Sequence, residues 1–365
     1  MTETKGNVVT LSQADPAMLD RLEAALHAGD STRSTARLTG AELTPVGVGA
    51  MADTFKVRLH WNIPDAGPAG LILKQPAIDS AAAATAASLG AYEREARFYS
   101  ELAPRTRVRA PRLYGVIDHA GVGFPDTVLL EDLTERHHPG DQLREVPIED
   151  LDRARHQLAL LQAPFWEDSA TADLPWLHRR LGVPIPSILE RMQRSWHSVT
   201  DTLAADLPAD ERECIDRFVA SAADWAQLNP GPQTLVHHDL RVDNLLFSDD
   251  EIVLIDWQTI GWGSAMFDFA YLIGTSLEAE TRRRYEAELL DRHVAELQEL
   301  GVEWTEADAA ETYRWAACAV LMMLVPPISS VKSNPRAVTM FRRMLGLGAR
   351  QALDAGSLDL LTSRL

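Results

Sequence analysis

The hydrophobic period changes along this chain, and that change limits the folds open to it. From Ala41 to Gln75 the sequence runs in short alternating stretches, AELTPVGVG, DTFKVRLHW and GLILKQP, punctuated by Pro and Gly. A period of two marks a half-buried strand, so this region predicts an antiparallel sheet of at least three strands. Two more strand-like runs follow, RLYGVIDH and TVLLEDL. Beyond Thr134 apolar residues return at three- and four-residue spacing. Leu151, Ala154, Leu158 and Leu161 share one face of Ile148 to Gln162, and Glu211 to Gln227 is likewise amphipathic. A sheet followed by a helical half is an α+β arrangement, with its boundary expected near residues 132–147.

Two helices are expected beside the strands. Asp15 to His27 carries Leu19, Leu22, Ala25 and Leu26 on one face, with Pro16 in its first turn. An Ala-rich segment from Asp79 leads into SLGAYEREARFYSEL, where Leu89, Tyr92, Ala96, Tyr99 and Leu102 recur at helical spacing; Asp79 or Ser80 is placed to cap its start. The expected organisation is a tail and helix over 1–35, a small lobe over 36–135 with an antiparallel sheet and one main helix, and a larger, mostly helical lobe over 136–365.

Composition removes several classes of function. The net charge is −18 and the 35 Lys and Arg residues are scattered, so no nucleic-acid partner is expected. Cys214 and Cys318 lie far apart without metal-ligand spacing, and the N-terminus lacks a charged start followed by an apolar core. Both point to the cytoplasm. The longest apolar stretch, from Trp315 to Val325, is too short to span a bilayer, so no membrane insertion is expected. It predicts a core helix closed by Pro326 and Pro327. The oligomeric state stays open.

The chemistry is concentrated in LVHHDLRVDNLLFSDDEIVLIDW, expected as two short strands around a polar turn. Phosphoryl transfer needs a base beside the acceptor hydroxyl, a metal to neutralise phosphate charge and a cation to hold the phosphates. Asp239 is a loop carboxylate suited to take the hydroxyl proton, while Asn244 and Asp256 offer the hard oxygens that magnesium prefers. Upstream, Lys74 stands in the apolar strand LILKQP, where an unpaired ammonium is costly to bury, and the following helix supplies Glu95 as a partner. Glu93 competes, but two positions apart on a helix means different faces. The turn around Gly49, Ala50 and Met51, between two strands, can bring backbone N–H groups to phosphate oxygens.

With these residues in place the chain resembles the aminoglycoside phosphotransferase and choline kinase superfamily, of protein-kinase-like fold, and looks nearest to its ecdysteroid-kinase-like branch. VHHDLRVDNLLF resembles the family's His-x-Asp-(four residues)-Asn motif, and IDWQTIGWGSAMFDFAYL its Asp-aromatic-Gln segment followed by Asp-aromatic-Ala. The resemblance implies a bilobal fold and an enzyme that uses ATP and Mg2+ to phosphorylate a hydroxyl of a small-molecule acceptor. It assigns Asp239 as base, Asn244 and Asp256 as magnesium ligands, Lys74 as the α/β-phosphate contact and Glu95 as its anchor. The backbone around Glu131 and Leu133, in the hinge-like LLEDL, would bind adenine. Two departures stand out: His238 replaces the family's usual glycine, and Gln162 stands where relatives commonly place His.

Plainer readings accompany these. His237 is expected to be structural, and Asp268 to brace the loop rather than ligate metal. Trp257, Gln258 and Trp262 either border the acceptor or belong to the core. The run around Met322 and Met323 could line an apolar acceptor pocket, though core packing explains it equally. The acidic residues of the helical half form no cluster that can be placed around a polycationic aminoglycoside, so a weakly charged, partly apolar alcohol is the favoured acceptor, with an aminoglycoside or other antibiotic as the open alternative. A nucleotide-binding pseudokinase serving as an interaction module is the alternative. A protein kinase is disfavoured, because no Asp-Phe-Gly or Ala-Pro-Glu follows Asp256.

Overall fold

The computed structural model describes residues 9–11, 16–29, 35–48, 51–118, 125–179, 186–331 and 335–362. They form two compact units: Met1–Arg105 with Ala110–His137 and Asp256–Gln258, and Thr106–Arg109 with His138–Ile255 and Thr259–Leu365.

The first unit is a six-stranded sheet with three α-helices. Its strands are β1 (Val9–Leu11), β2 (Leu38–Val48), β3 (Ala52–Trp61), β4 (Gly70–Pro76), β5 (Leu113–Asp118) and β6 (Pro125–Leu130). They pair antiparallel throughout in the order β1-β2-β3-β4-β6-β5. Alternation decides what is buried: Leu71 and Leu73 of β4 join Val57, Leu59 and Leu129 in one core. Helix α1 (Pro16–Gly29) adds Leu19, Leu22, Ala25 and Leu26 to that same cluster. It lies close against β5, where a side chain at Gly115 would come within 2.4 Å of the Ala25 carbonyl oxygen.

The helix expected from Asp79 to Leu102 is broken into pieces. Asp79 caps α2 (Ser80–Ser88) by accepting the Ala81 N–H at 3.0 Å. Gly90 then takes φ 66°, which a helix interior cannot contain, and α3 (Ala91–Arg97) starts afresh before passing into a π-helical turn over Phe98–Leu102.

The second unit is mostly helical. Two small three-stranded sheets accompany the helices, one ordered β11-β10-β7 and the other β8-β12-β9. Here β7 is His138–Pro139, β8 His178–Arg179, β9 Gln233–Val236, β10 Leu245–Phe247, β11 Ile252–Leu254 and β12 Gly261–Ser264. The segment LVHHDLRVDNLLFSDDEIVLIDW therefore holds three strands instead of two. Only β10 and β11 form a hairpin, while β9 leaves to pair with β12.

The helices are α4 (Ile148–Gln162), α5 (Ser169–Ala172), α6 (Pro186–His197), α7 (Ala209–Leu228), α8 (Met266–Ser276), α9 (Ala279–Glu299), α10 (Glu306–Ala316), α11 (Ala319–Leu324), α12 (Pro335–Asp354) and α13 (Asp359–Thr362). Every residue of α8 is buried, which makes it the centre of this unit. The Trp315–Val325 run is not one helix: it is shared between the end of α10 and α11, with a turn at Ala317 and Cys318. Trp225 and Trp315 stack at 4.4 Å, and each indole N–H donates to the other's backbone carbonyl. Buried Gln162 donates to the Ala265 carbonyl and accepts from His293 Nε2. Among the described residues no helix is long and apolar enough to cross a membrane.

Candidate active site

Lys74 sits on the face of β4 opposite Leu71 and Leu73, so alternation turns its side chain away from the sheet core. Its ammonium is 2.8 Å from Glu95 Oε1 and 2.8 Å from Asp256 Oδ1. The Lys74 and Glu95 side chains are only 13% and 4% exposed, while Asp256 reaches 37%. Burial works against the Lys74 charge, but Asp256 and Glu95 outweigh it and hold the ammonium well above the usual lysine range. Burial pushes the Glu95 carboxyl up, and Lys74 opposes that push. Glu93 turns elsewhere and pairs with Arg97 at 2.8 Å.

Asp256, remote in sequence, reaches this cluster because α3 and the π-turn grip the segment around it. Glu95 Oε1 accepts the Trp257 N–H at 3.3 Å, Arg94 Nε donates to the Gln258 carbonyl, and Trp257 stacks on Phe98 at 3.7 Å and 12°. Asp256 itself takes φ 65°, a left-handed conformation unusual for a non-glycine residue.

Of the glycine turn, Gly49 and Ala50 lie outside the described residues. Met51 is described: its carbonyl accepts the Tyr92 hydroxyl at 2.5 Å, which ties the β2–β3 turn to α3. At Glu131 the N–H donates to the Arg112 carbonyl, and at Leu133 the carbonyl accepts from Arg136 and His137. The Leu133 N–H has no protein partner among the described residues.

The second unit carries the other predicted residues. Asp268, buried on α8, accepts the backbone N–H of His237 at 2.6 Å and of His238 at 2.9 Å. Burial pushes its carboxyl up to about 7 despite those two bonds, with Asp239 adding to the push. His237 Nε2 donates to the Ile255 carbonyl and Nδ1 accepts the Asp239 N–H; one tautomer serves both. His238 takes φ 63° and donates from Nδ1 to the Thr259 carbonyl. This left-handed conformation is one that glycine adopts without strain.

Asp239 follows in the same loop, its side chain 24% exposed. Asn244 Nδ2 donates to its carbonyl at 2.8 Å and to Oδ2 at 2.9 Å, while Arg241 Nε and the Tyr271 hydroxyl reach Oδ1 at 3.2 and 3.0 Å. Arg241 also pairs with Asp243 at 2.9 Å. Asn244 Oδ1 has no protein hydrogen bond among the described residues, so its amide is anchored through nitrogen with the carbonyl oxygen uncommitted. That is a suitable donor for a hard cation. Among the described residues there is no cluster of three or more His, Cys, Asp or Glu arranged to hold a metal.

Sequence reasoning did not single out Arg241 or Tyr271. The signal was present: Arg241 is two residues beyond Asp239, and Tyr271 follows Asp268 by three on α8, hence on the same helix face. Trp257, Gln258 and Trp262 are all buried.

Residues 42–309 match the model of the phosphotransferase enzyme family. The chain belongs to that family. No curated protein matches the sequence. Among solved structures, this phosphotransferase is similar to a Ralstonia eutropha protein provisionally designated an aminoglycoside phosphotransferase. They share 17% identity over 92% of this chain and 98% of the other, with a TM-score of 0.52. It is also similar to choline kinase from Cryptosporidium parvum, at 13% identity over 89% and 90%, TM-score 0.50. A third neighbour is APH(2")-IIa in complex with gentamicin, at 14% identity over 91% and 97%, TM-score 0.50. At such identities the likeness is one of fold, and that fold is the kinase-like one.

Proposed function

We propose that this phosphotransferase moves the γ-phosphate of ATP to a hydroxyl of a small molecule, with Asp239 as the base. The observation that carries this reading is the Lys74 ammonium held at 2.8 Å by both Glu95 and Asp256. A buried cation kept in place by a helix carboxylate is suited to grip α- and β-phosphates, with Glu95 as its anchor. The turn at Gly49, Ala50 and Met51 would cover the phosphates, and the backbone of Glu131 and Leu133 would meet adenine. Asn244 and Asp256 would hold magnesium, which neutralises phosphate charge when bound; two protein ligands suit an ion that keeps water and phosphate oxygens. Asp239 takes the hydroxyl proton as the acceptor oxygen bonds to the γ-phosphorus and ADP departs.

The acceptor is best read as a weakly charged, partly apolar alcohol. Choline and gentamicin, named with two proteins of this fold, are both small hydroxylated molecules. Two carboxylates linked to Asp239 through arginines are, however, already matched. Asp243 is bound by Arg241, and Asp141 by Arg336 at 3.0 Å. A polycation would have to displace those arginines. The test is magnesium-dependent ATP consumption against choline-like alcohols, sugars, sterols, hydroxyacyl thioesters, macrolides and aminoglycosides, with Asp239→Asn as the blank. One responding class supports the reading and names the acceptor. ATP–magnesium binding with no turnover on any acceptor would favour a nucleotide-binding interaction module.

A further inference from the structure

Asp239 is gripped unequally at its two carboxylate oxygens. Oδ1 accepts from the Tyr271 hydroxyl at 3.0 Å and from Arg241 Nε at 3.2 Å, while Oδ2 accepts from Asn244 Nδ2 alone, at 2.9 Å, among the described residues. Each carboxylate oxygen offers two lone-pair positions, so Oδ1 is filled and Oδ2 keeps one open. Tyr271 is 1% exposed on the fully buried α8, and it lies one turn beyond Asp268. One helix face thus fixes both the backbone of the loop, through Asp268, and its carboxylate, through Tyr271.

We infer that Tyr271 is a positioning residue which, together with Arg241, occupies Oδ1 and leaves Oδ2 as the oxygen that takes the acceptor's proton. The inference rests on Asp239 being the base. In the step concerned, the acceptor's O–H proton passes to Oδ2 and the acceptor oxygen bonds to the γ-phosphorus. The bond from that phosphorus to the β–γ bridging oxygen breaks, and its electron pair stays with ADP. The final torsion of an aspartate is soft, so without donors at Oδ1 the carboxylate would swing and offer its open lone pair in varied directions. Proton transfer needs one direction held.

Tyr271→Phe keeps the ring and removes the donor; Arg241→Lys removes Nε and keeps a cation. Both are compared with wild type, Asp239→Asn and the Tyr271→Phe/Asp239→Asn double variant. The readouts are magnesium-dependent ATP turnover, with the responding acceptor or with water, and crystal structures of the single variants. For Tyr271→Phe the expected result is a loss of about tenfold in kcat, the worth of one hydrogen bond to a charged group. KM for ATP should be unchanged, there should be no further loss on the Asp239→Asn background, and the carboxylate should be rotated in the crystal. An unchanged kcat with an unmoved carboxylate would overturn the inference. So would the same tenfold loss on the Asp239→Asn background, because Tyr271 would then act through something else. Full turnover in Asp239→Asn alone would remove the base reading and this inference with it. Should Tyr271→Phe not fold, Arg241→Lys carries the same comparison with the same outcomes.

Discussion

Lys74 and Asp239 are held in opposite ways. Lys74 is locked by charge: two carboxylates meet one buried ammonium, and removing that ammonium strands both. Asp239 is held by donors, a tyrosine hydroxyl, an amide and a guanidinium that Asp243 shares, and it stays partly open. The difference predicts that breaking the lysine cluster costs its unit stability, whereas the aspartate can be changed with little structural cost.

The sharpest way to break the comparison is Asp239→Asn. Turnover should fall by roughly 10²- to 10⁴-fold while the melting temperature hardly moves; steady-state kinetics beside a thermal melt checks both. Lys74→Met should do the reverse in emphasis. Stranding Glu95 should lower stability by about 3–5 kcal/mol in denaturant titration, and Lys74→Met/Glu95→Gln should recover part of that. Equal stability of Lys74→Met and wild type would contradict the charge lock.

A third difference is in pH. The Asp268 carboxyl, raised from 3.8 to about 7, keeps a proton that the unfolded chain has released between those values. Its contribution therefore fades as pH rises through that window, by at most about 1.4 kcal/mol per pH unit, and is level above it. Melting temperatures of wild type and Asp268→Asn across that window should diverge in slope. The smallest effect is expected from His238→Gly, which relaxes φ 63° but loses the bond to the Thr259 carbonyl. The fully buried imidazole, packed on Phe267, also leaves a cavity, so relief of strain offsets only part of the loss and stability should fall by about 2–3 kcal/mol.

The sequence disclosed most where a side chain's chemistry conflicts with its surroundings. Lys74 in an apolar strand demanded a carboxylate, and alternation along β4 showed which face it takes. The bounds of α4 were legible because its apolar spacing is regular. The breaks were harder to read. Gly90 does mark the end of α2, but a lone glycine in a helical pattern is often tolerated. Nothing in the local sequence explains the turn at Ala317 and Cys318. Helix α8 is apolar nearly all round and so has no face for periodicity to detect, and Tyr271 was hidden within it. The second carboxylate at Lys74 was hidden for another reason: Asp256 is 182 residues away, and only folding brings it near.

The stack of Trp257 on Phe98 gives this enzyme an internal optical reporter. The indole follows Asp256 directly, and its backbone N–H binds the same Glu95 oxygen that holds Lys74. Rearrangement of the ammonium toward a nucleotide should therefore alter the emission of this one fluorophore. The difference spectrum between wild type and Trp257→Phe would then follow nucleotide loading in real time, without label or coupled assay and before any acceptor is known.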